Sequence, residues 1–207
     1  MVIIDWFRAV HDGRVLPSAS PQGARIAMTT QVDIPGYVAG SWVIDTVHSE
    51  VSFQVRHLGV AKVRGTFDDF EGTLTTAADP LESTVRAVIR TASVCTKNKI
   101  RDDNLAAPDF LDVERFPTMT FASTGIRLDG DDFLVDGDLT IRDTTLPVTL
   151  TMELNGFATA PGGKPLAGFS AHTEINRHEF GVVGGPTAVV VGDLVKITLE
   201  VEAHLSD

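Results

Sequence analysis

From Ser41 onward the chain alternates apolar and polar residues with a period of two, and no other feature constrains its fold as strongly. Val148, Leu150, Met152 and Leu154 fall on one face of an extended chain; Thr149, Thr151, Glu153 and Asn155 fall on the other. The pattern recurs with Val195, Ile197, Leu199, Val201 and Ala203 against Lys196, Thr198, Glu200 and Glu202, and again with Phe133, Val135, Leu139 and Ile141. Valine, isoleucine, threonine and phenylalanine pack well on a pleated surface. Strands are expected near 41–46, 50–57, 62–76, 83–91, 118–127, 133–142, 147–157, 166–176 and 194–204, with turn chemistry in LDGDD, ADP and PGGKP. Hairpin-length joints argue for antiparallel neighbours, each sheet having one wet and one dry face. Many such strands in sequence make a sandwich or a closed barrel. A barrel of about eight strands encloses just enough space for one small ligand.

Charge and composition exclude several partners. The chain has 28 acidic and 17 basic residues, a net charge of −11. That field repels nucleic acid and anionic membrane surface, although a local basic patch can still exist. The single cysteine, Cys95, excludes an intramolecular disulfide framework. At the end of an expected strand, it reads as a small buried hydrophobe. No apolar run approaches the ~20 residues that span a bilayer. The N-terminus lacks a basic start and its apolar run is broken at Asp5 and Arg8. The expectation is a cytoplasmic protein with no integral membrane segment and no nucleic-acid partner.

Two regions are expected, an extension over 1–39 and a β domain over 40–207. In the first, Ile3, Trp6, Phe7 and Val10 fall at helical spacing. The following LPSASPQGARIAMTTQVDIPGYVAG has the composition of a linker or loose strap. The helix docks on the domain, docks on a neighbouring subunit to make a homodimer, or frays; the sequence does not choose.

One segment breaks the period: KIRDDNLAAPDFLDVERFPTMTF, between Val94 and the strand after Pro117. Helical turns are expected from about Arg101 to Ala107 and around Asp109–Val113. A long excursion between two barrel strands has to lie over a barrel end or be unstructured. Its mixed composition favours a cap, with Leu105, Phe110 and Phe116 inward and carboxylates outward.

Asp102, Asp103, Asp109, Asp112 and Glu114 are interleaved with Arg101 and Arg115, which suits a solvated lid face better than a carboxylate pair. The run Asp129, Asp131, Asp132, Asp136 and Asp138 fails the calcium-loop template, which would need glycine and glutamate where Leu134 and Thr140 stand. The six histidines, His11, His48, His57, His172, His178 and His204, show no helical zinc spacing. Ser41, Ser49 and Ser123 lack a nucleophile elbow. GVVGGP lacks the lysine and setting of a phosphate loop. No metal, cofactor or catalytic residue is therefore expected.

Four strings, in order and at compatible spacing between about Gly40 and Leu205, resemble the YceI-like family of lipocalin-like, isoprenoid-binding proteins. They are GSWVIDTVHSEVSFQVRHLGVAKVRGTFDDFEGTL, IRDDNLAAPDFLDVERFPTMTF, DGDLTIRDTTLPVTLTMEL and FSAHTEINRHEFGV. The resemblance implies an all-β, antiparallel lipocalin-like barrel of about eight strands with a short helical cap. It would bind, store or transport a long isoprenoid-type lipid, polyprenyl or quinone, in its interior. Carried over by residue, pocket contributors would be Trp42, His48, Phe53, Phe67, Leu105, Phe110, Phe116, Phe121, Asn176, Arg177 and Phe180. The chain departs from the family pattern at Asn104, where histidine is usual, and in VVGGPTAVVV, which replaces a tryptophan-containing segment. Each buried methylene contributes ~0.8 kcal/mol gross, so binding needs no catalytic group. The alternatives are an isomerase or cyclase acting on a polyketide or terpenoid, with His48, His57 or Arg177 as acid–base groups, and an interaction module that docks through residues 1–16.

Overall fold

The computed structural model of the chain describes residues 34–206. The helix expected from Ile3 to Val10, and the strap up to residue 33, lie outside the described residues. The described part contains strands β1 (Gly40–Ile44), β2 (Glu50–His57), β3 (Ala61–Phe67), β4 (Phe70–Thr76), β5 (Thr84–Arg90), β6 (Val94–Cys95), β7 (Thr118–Asp129), β8 (Asp132–Ile141), β9 (Thr144–Thr159), β10 (Pro165–Asn176) and β11 (Val191–Leu205), with one α-helix, α1 (Lys99–Ala106). Every pairing is antiparallel.

The strands close into a barrel of eight staves, because the first six strands join end to end in pairs. β11 pairs with β2 through Ile197↔Phe53 and with β1 through Leu205↔Trp42, so β1 and β2 form one broken stave. β3 and β4 form the next, pairing with β2 and β1 respectively. β5 and β6 form the third, and β7 to β11 complete the circuit. Closure leaves no stave without a partner on either side, which removes the exposed edges that make sheets aggregate.

The breaks correct the expected strand list. A single strand over 62–76 is interrupted at Asp68–Asp69, where Asp68 accepts from Thr66 Oγ1 at 2.7 Å and the Asp69 carbonyl accepts from Arg90 N at 2.9 Å. Side-chain bonds of this kind compete with the sheet ladder. β9 starts at Thr144 rather than 147, because Arg142, at φ +58°, turns the chain within two residues of β8. Cys95 is half-buried in β6 rather than fully enclosed.

The period-two register places side chains as alternation demands. Val148, Leu150 and Met152 of β9 and Ile197 and Leu199 of β11 face the interior, while Thr149 and Lys196 stand exposed outside. Among the described residues no helix is long and apolar enough to cross a membrane.

Candidate functional site

The barrel encloses a cavity of about 330 Å³, within the roughly 300–1,000 Å³ of small-molecule sites. Apart from Tyr37, Ser52, Thr76, Ser83, Thr173 and Arg177, its wall is apolar. The wall is unevenly packed. β8 buries Phe133, Val135, Leu139 and Ile141. By contrast the inward side chains of β9 and β11, Leu150 and Ile197 among them, are only half-buried, because they meet the cavity rather than packed atoms.

Two connections close one barrel end. In the first, Asn98 caps α1 by accepting from Arg101 N at 3.1 Å. The Asp102 carboxylate accepts from Thr96 N at 2.8 Å and from Thr96 Oγ1, and Arg101 donates to Thr96 Oγ1 and O at 2.7 and 2.8 Å. The hydrogen bond from the Thr96 hydroxyl holds the Asp102 carboxyl below the ordinary carboxylate range. These bonds tie the helix to β6. Beyond it the chain turns Phe110 and Leu111 into the barrel, 8% and 9% exposed, with Leu105 also on the wall. The second connection, between β10 and β11, buries Phe180, Val182 and Ala188.

The two halves of this lid lock together. Gly184 N donates to the Asp109 carbonyl at 2.7 Å. Arg142, from the β8–β9 turn, donates through Nη1 to the Phe110 carbonyl at 3.1 Å and to the Gly181 carbonyl at 2.8 Å. Its guanidinium also lies 3.9 Å from the Asp112 carboxylate and 5.3 Å from the Phe116 ring centroid.

Among the described residues Arg177 is the only ionised group on the wall, and its charge is fully engaged. Nε donates to the Gly192 carbonyl, Nη1 to the Val182 and Val183 carbonyls, and Nη2 to the Val191 carbonyl and Asp193 Oδ1, at 2.7–3.3 Å. A guanidinium has five N–H donors, and this set uses them all. Arg177 therefore staples the lid connection and has no donor left for a ligand or a reacting proton.

Of the residues that the sequence put at the pocket, Phe53, Phe67, Leu105, Phe110, Phe121, Arg177 and Phe180 lie on the wall. Four lie off it. Trp42, 0% exposed, fills the other barrel end behind Phe157 and Phe169, its Nε1 donating to Thr76 Oγ1 at 2.8 Å. Phe116 is held outside by Arg115 and Arg142, 4.8 and 5.3 Å from its centroid. Asn176 caps the turn Arg177–Phe180, accepting from His178 N at 3.0 Å. His48 stands on the surface with Asp45 Oδ2 at 2.9 Å and Glu202 Oε1 at 3.7 Å. The bond to Asp45 raises the His48 pKa and lowers that of Asp45, so ion pairing accounts for this acidic cluster. His57 is half-buried in β2 and also off the wall. Sequence reasoning missed Arg142, Gly184, Leu111 and Val182; the Gly-Gly-Pro inside an apolar run was the available signal for two of them.

The YceI-like domain family matches residues 42–203. Protein YceI of Escherichia coli is 40% identical over 148 residues, covering 70% of this chain and 78% of that protein. The crystal structure of the Campylobacter jejuni YCEI protein superposes with a TM-score of 0.65 at 28% identity, covering 73% of this chain and 90% of that one. A polyisoprenoid-binding domain from Saccharophagus degradans, implicated in plant cell wall breakdown, shares the fold at a TM-score of 0.60 and 14% identity, covering 80% and 98%.

Proposed function

The chain belongs to the YceI-like domain family, and on that premise we propose that it binds a long apolar isoprenoid-type lipid, a polyprenyl chain or a quinone, inside the barrel. The observation that carries this reading is the half-buried apolar wall of β9 and β11 beneath a bolted lid. Apolar surface removed from water gains roughly 25 cal/mol per Å², so such a wall gains most from an apolar guest. The name of the Saccharophagus domain supports the same class of ligand. Phe53, Phe67, Leu105, Phe110, Phe121 and Phe180 would make the contacts.

The described wall is poor in groups for acid–base chemistry. Among the described residues the wall carries no carboxylate, imidazole, thiol or amine, and its guanidinium is committed to the lid. General acid–base catalysis needs a titrating group within hydrogen-bond reach of the substrate.

A fluorescent polyprenyl probe, displaced by unlabelled polyprenols and quinones, tests the reading. Saturable displacement that strengthens with chain length supports it. Displacement by polar compounds of equal size, with no dependence on chain length, overturns it.

A further inference from the structure

Outside the cavity, the β2–β3 hairpin breaks three local rules at once. Its tip, Leu58–Gly59–Val60, is apolar yet stands in water, with Leu58 62% and Val60 85% exposed. Leu58 holds φ +52° and Gly59 φ +71°. In such a turn asparagine or glycine is the ordinary first residue, and a bulky side chain is strained. Behind the tip, Arg56 pairs directly with Lys62, and Arg64 with Gln54. All three cations are exposed, and like charges directly opposed weaken an antiparallel pair.

Among the described residues no salt bridge relieves that repulsion, and no acidic residue occurs between Glu50 and Asp68. In a chain of net charge −11 this basic hairpin runs against the global sign. The lid extends the apolar part. Leu58 N donates to the Val190 carbonyl at 2.8 Å, which sets Val189, 88% exposed, beside the tip.

We propose that this hairpin and Val189 form a docking surface for an anionic lipid bilayer. Apolar side chains ahead of a cationic collar match hydrocarbon lying beneath a layer of negative charge. Among the described residues the three side chains project from the hairpin turn and from the segment Pro186–Val190 and are not part of the cavity wall, which suits a fluid layer better than the shaped surface of a protein. His57 pairs with Val191 at the lid end of the barrel, so docking seats the lid against the membrane. Lipid exchange at that end rests on the binding reading above; docking itself does not.

The test is co-sedimentation of the full chain with vesicles of phosphatidylcholine, alone or mixed one-to-one with phosphatidylglycerol. Neither vesicle contains an isoprenoid, so the result is independent of cavity cargo. The expected result is binding to the mixed vesicles only, weakened by salt as the screening length shortens from about 10 Å at 0.1 M to about 3 Å at 1 M. Each basic residue near an anionic surface is worth roughly fivefold, so Arg56→Glu with Lys62→Glu and Arg64→Glu lowers partitioning by 100-fold or more. Leu58→Asn with Val60→Asn lowers it at least tenfold, while melting no lower than the parent, because asparagine suits the left-handed turn. No vesicle binding, equal binding to both vesicles, or binding unaltered in either variant overturns the proposal. So does a dimer without vesicle binding that the asparagine variant dissociates, which would assign the patch to a second copy of the chain.

Discussion

The ring of Phe110 lies against the backbone of Gly184, so close that a Cβ at residue 184 would stand 2.7 Å from Phe110 Cζ and also collide with Ala188 Cβ. Gly184 further sits at φ +72°, a conformation that L side chains rarely adopt. The two halves of the lid meet through this contact and through the hydrogen bond from Gly184 N to the Asp109 carbonyl, with Arg142 bridging both. The contact explains a Gly-Gly-Pro inside an otherwise apolar run, where a strand would not place it.

Gly184→Ala should therefore loosen the lid without dismantling the barrel. Left-handed backbone costs a side chain about 1–2 kcal/mol, and the clash adds to it. Stopped-flow release of a bound polyprenyl probe should accelerate several-fold, with a melting temperature lower by a few degrees. Unchanged release would mean that the lid is not the exit.

Phe110→Ala and Asp103→Asn separate an apolar lid from a carboxylate site. Phe110 is buried on the cavity wall, and truncating a large buried side chain typically costs about 3–5 kcal/mol, so probe affinity should fall by a hundredfold or more. Among the described residues Asp103 pairs only with the exposed Lys99 at 2.8 Å, and exposed pairs contribute about 0–1 kcal/mol. Its replacement should leave probe affinity within a few-fold of the parent value. The reverse order in equilibrium titrations would point to a polar site.

The lid should weaken in acid through Asp102. Its folded-state pKa is depressed, chiefly by the Thr96 hydroxyl. A depressed carboxyl contributes stability that is fully present above the unfolded value, about 3.9, and is lost as pH falls through the folded value. Probe release from the parent should thus accelerate as pH drops below about 4, and Asp102→Asn should flatten that rise. A variant whose release keeps the parent's pH profile would remove Asp102 from the account.

The barrel was legible in the sequence because strand alternation is local. The inward set on β9 and β11 follows from the period alone, and one buried face fixes the register. The cap was legible as the place where the period fails. What stayed hidden depends on contacts far apart in the chain. Arg177 looks like a ligand-binding cation until five acceptors between Val182 and Asp193 are seen around it. Trp42 looks like a pocket aromatic, but its cross-strand partners Leu74 and Leu205 place it in the barrel end opposite the lid. Arg142 gave no signal at all, since its work is to reach carbonyls of residues 110 and 181.

Removing residues 1–33 should leave the barrel folded, because all eight staves pair among the described residues. Far-ultraviolet circular dichroism and thermal melting check this. A truncated chain with an unfolded spectrum would show that the extension completes the fold.

The central claim is that the cavity holds an apolar chain, and native mass spectrometry of the gently purified protein reads it directly, alongside Leu150→Trp. Leu150 is half-buried on the wall, so an indole there occupies ligand space while keeping an apolar inward face. The parent should carry an adduct that organic extraction identifies as a polyprenyl or quinone lipid, and the folded tryptophan variant should carry little or none. A parent chain found at its bare mass, or an adduct equally abundant in both proteins, would contradict the account.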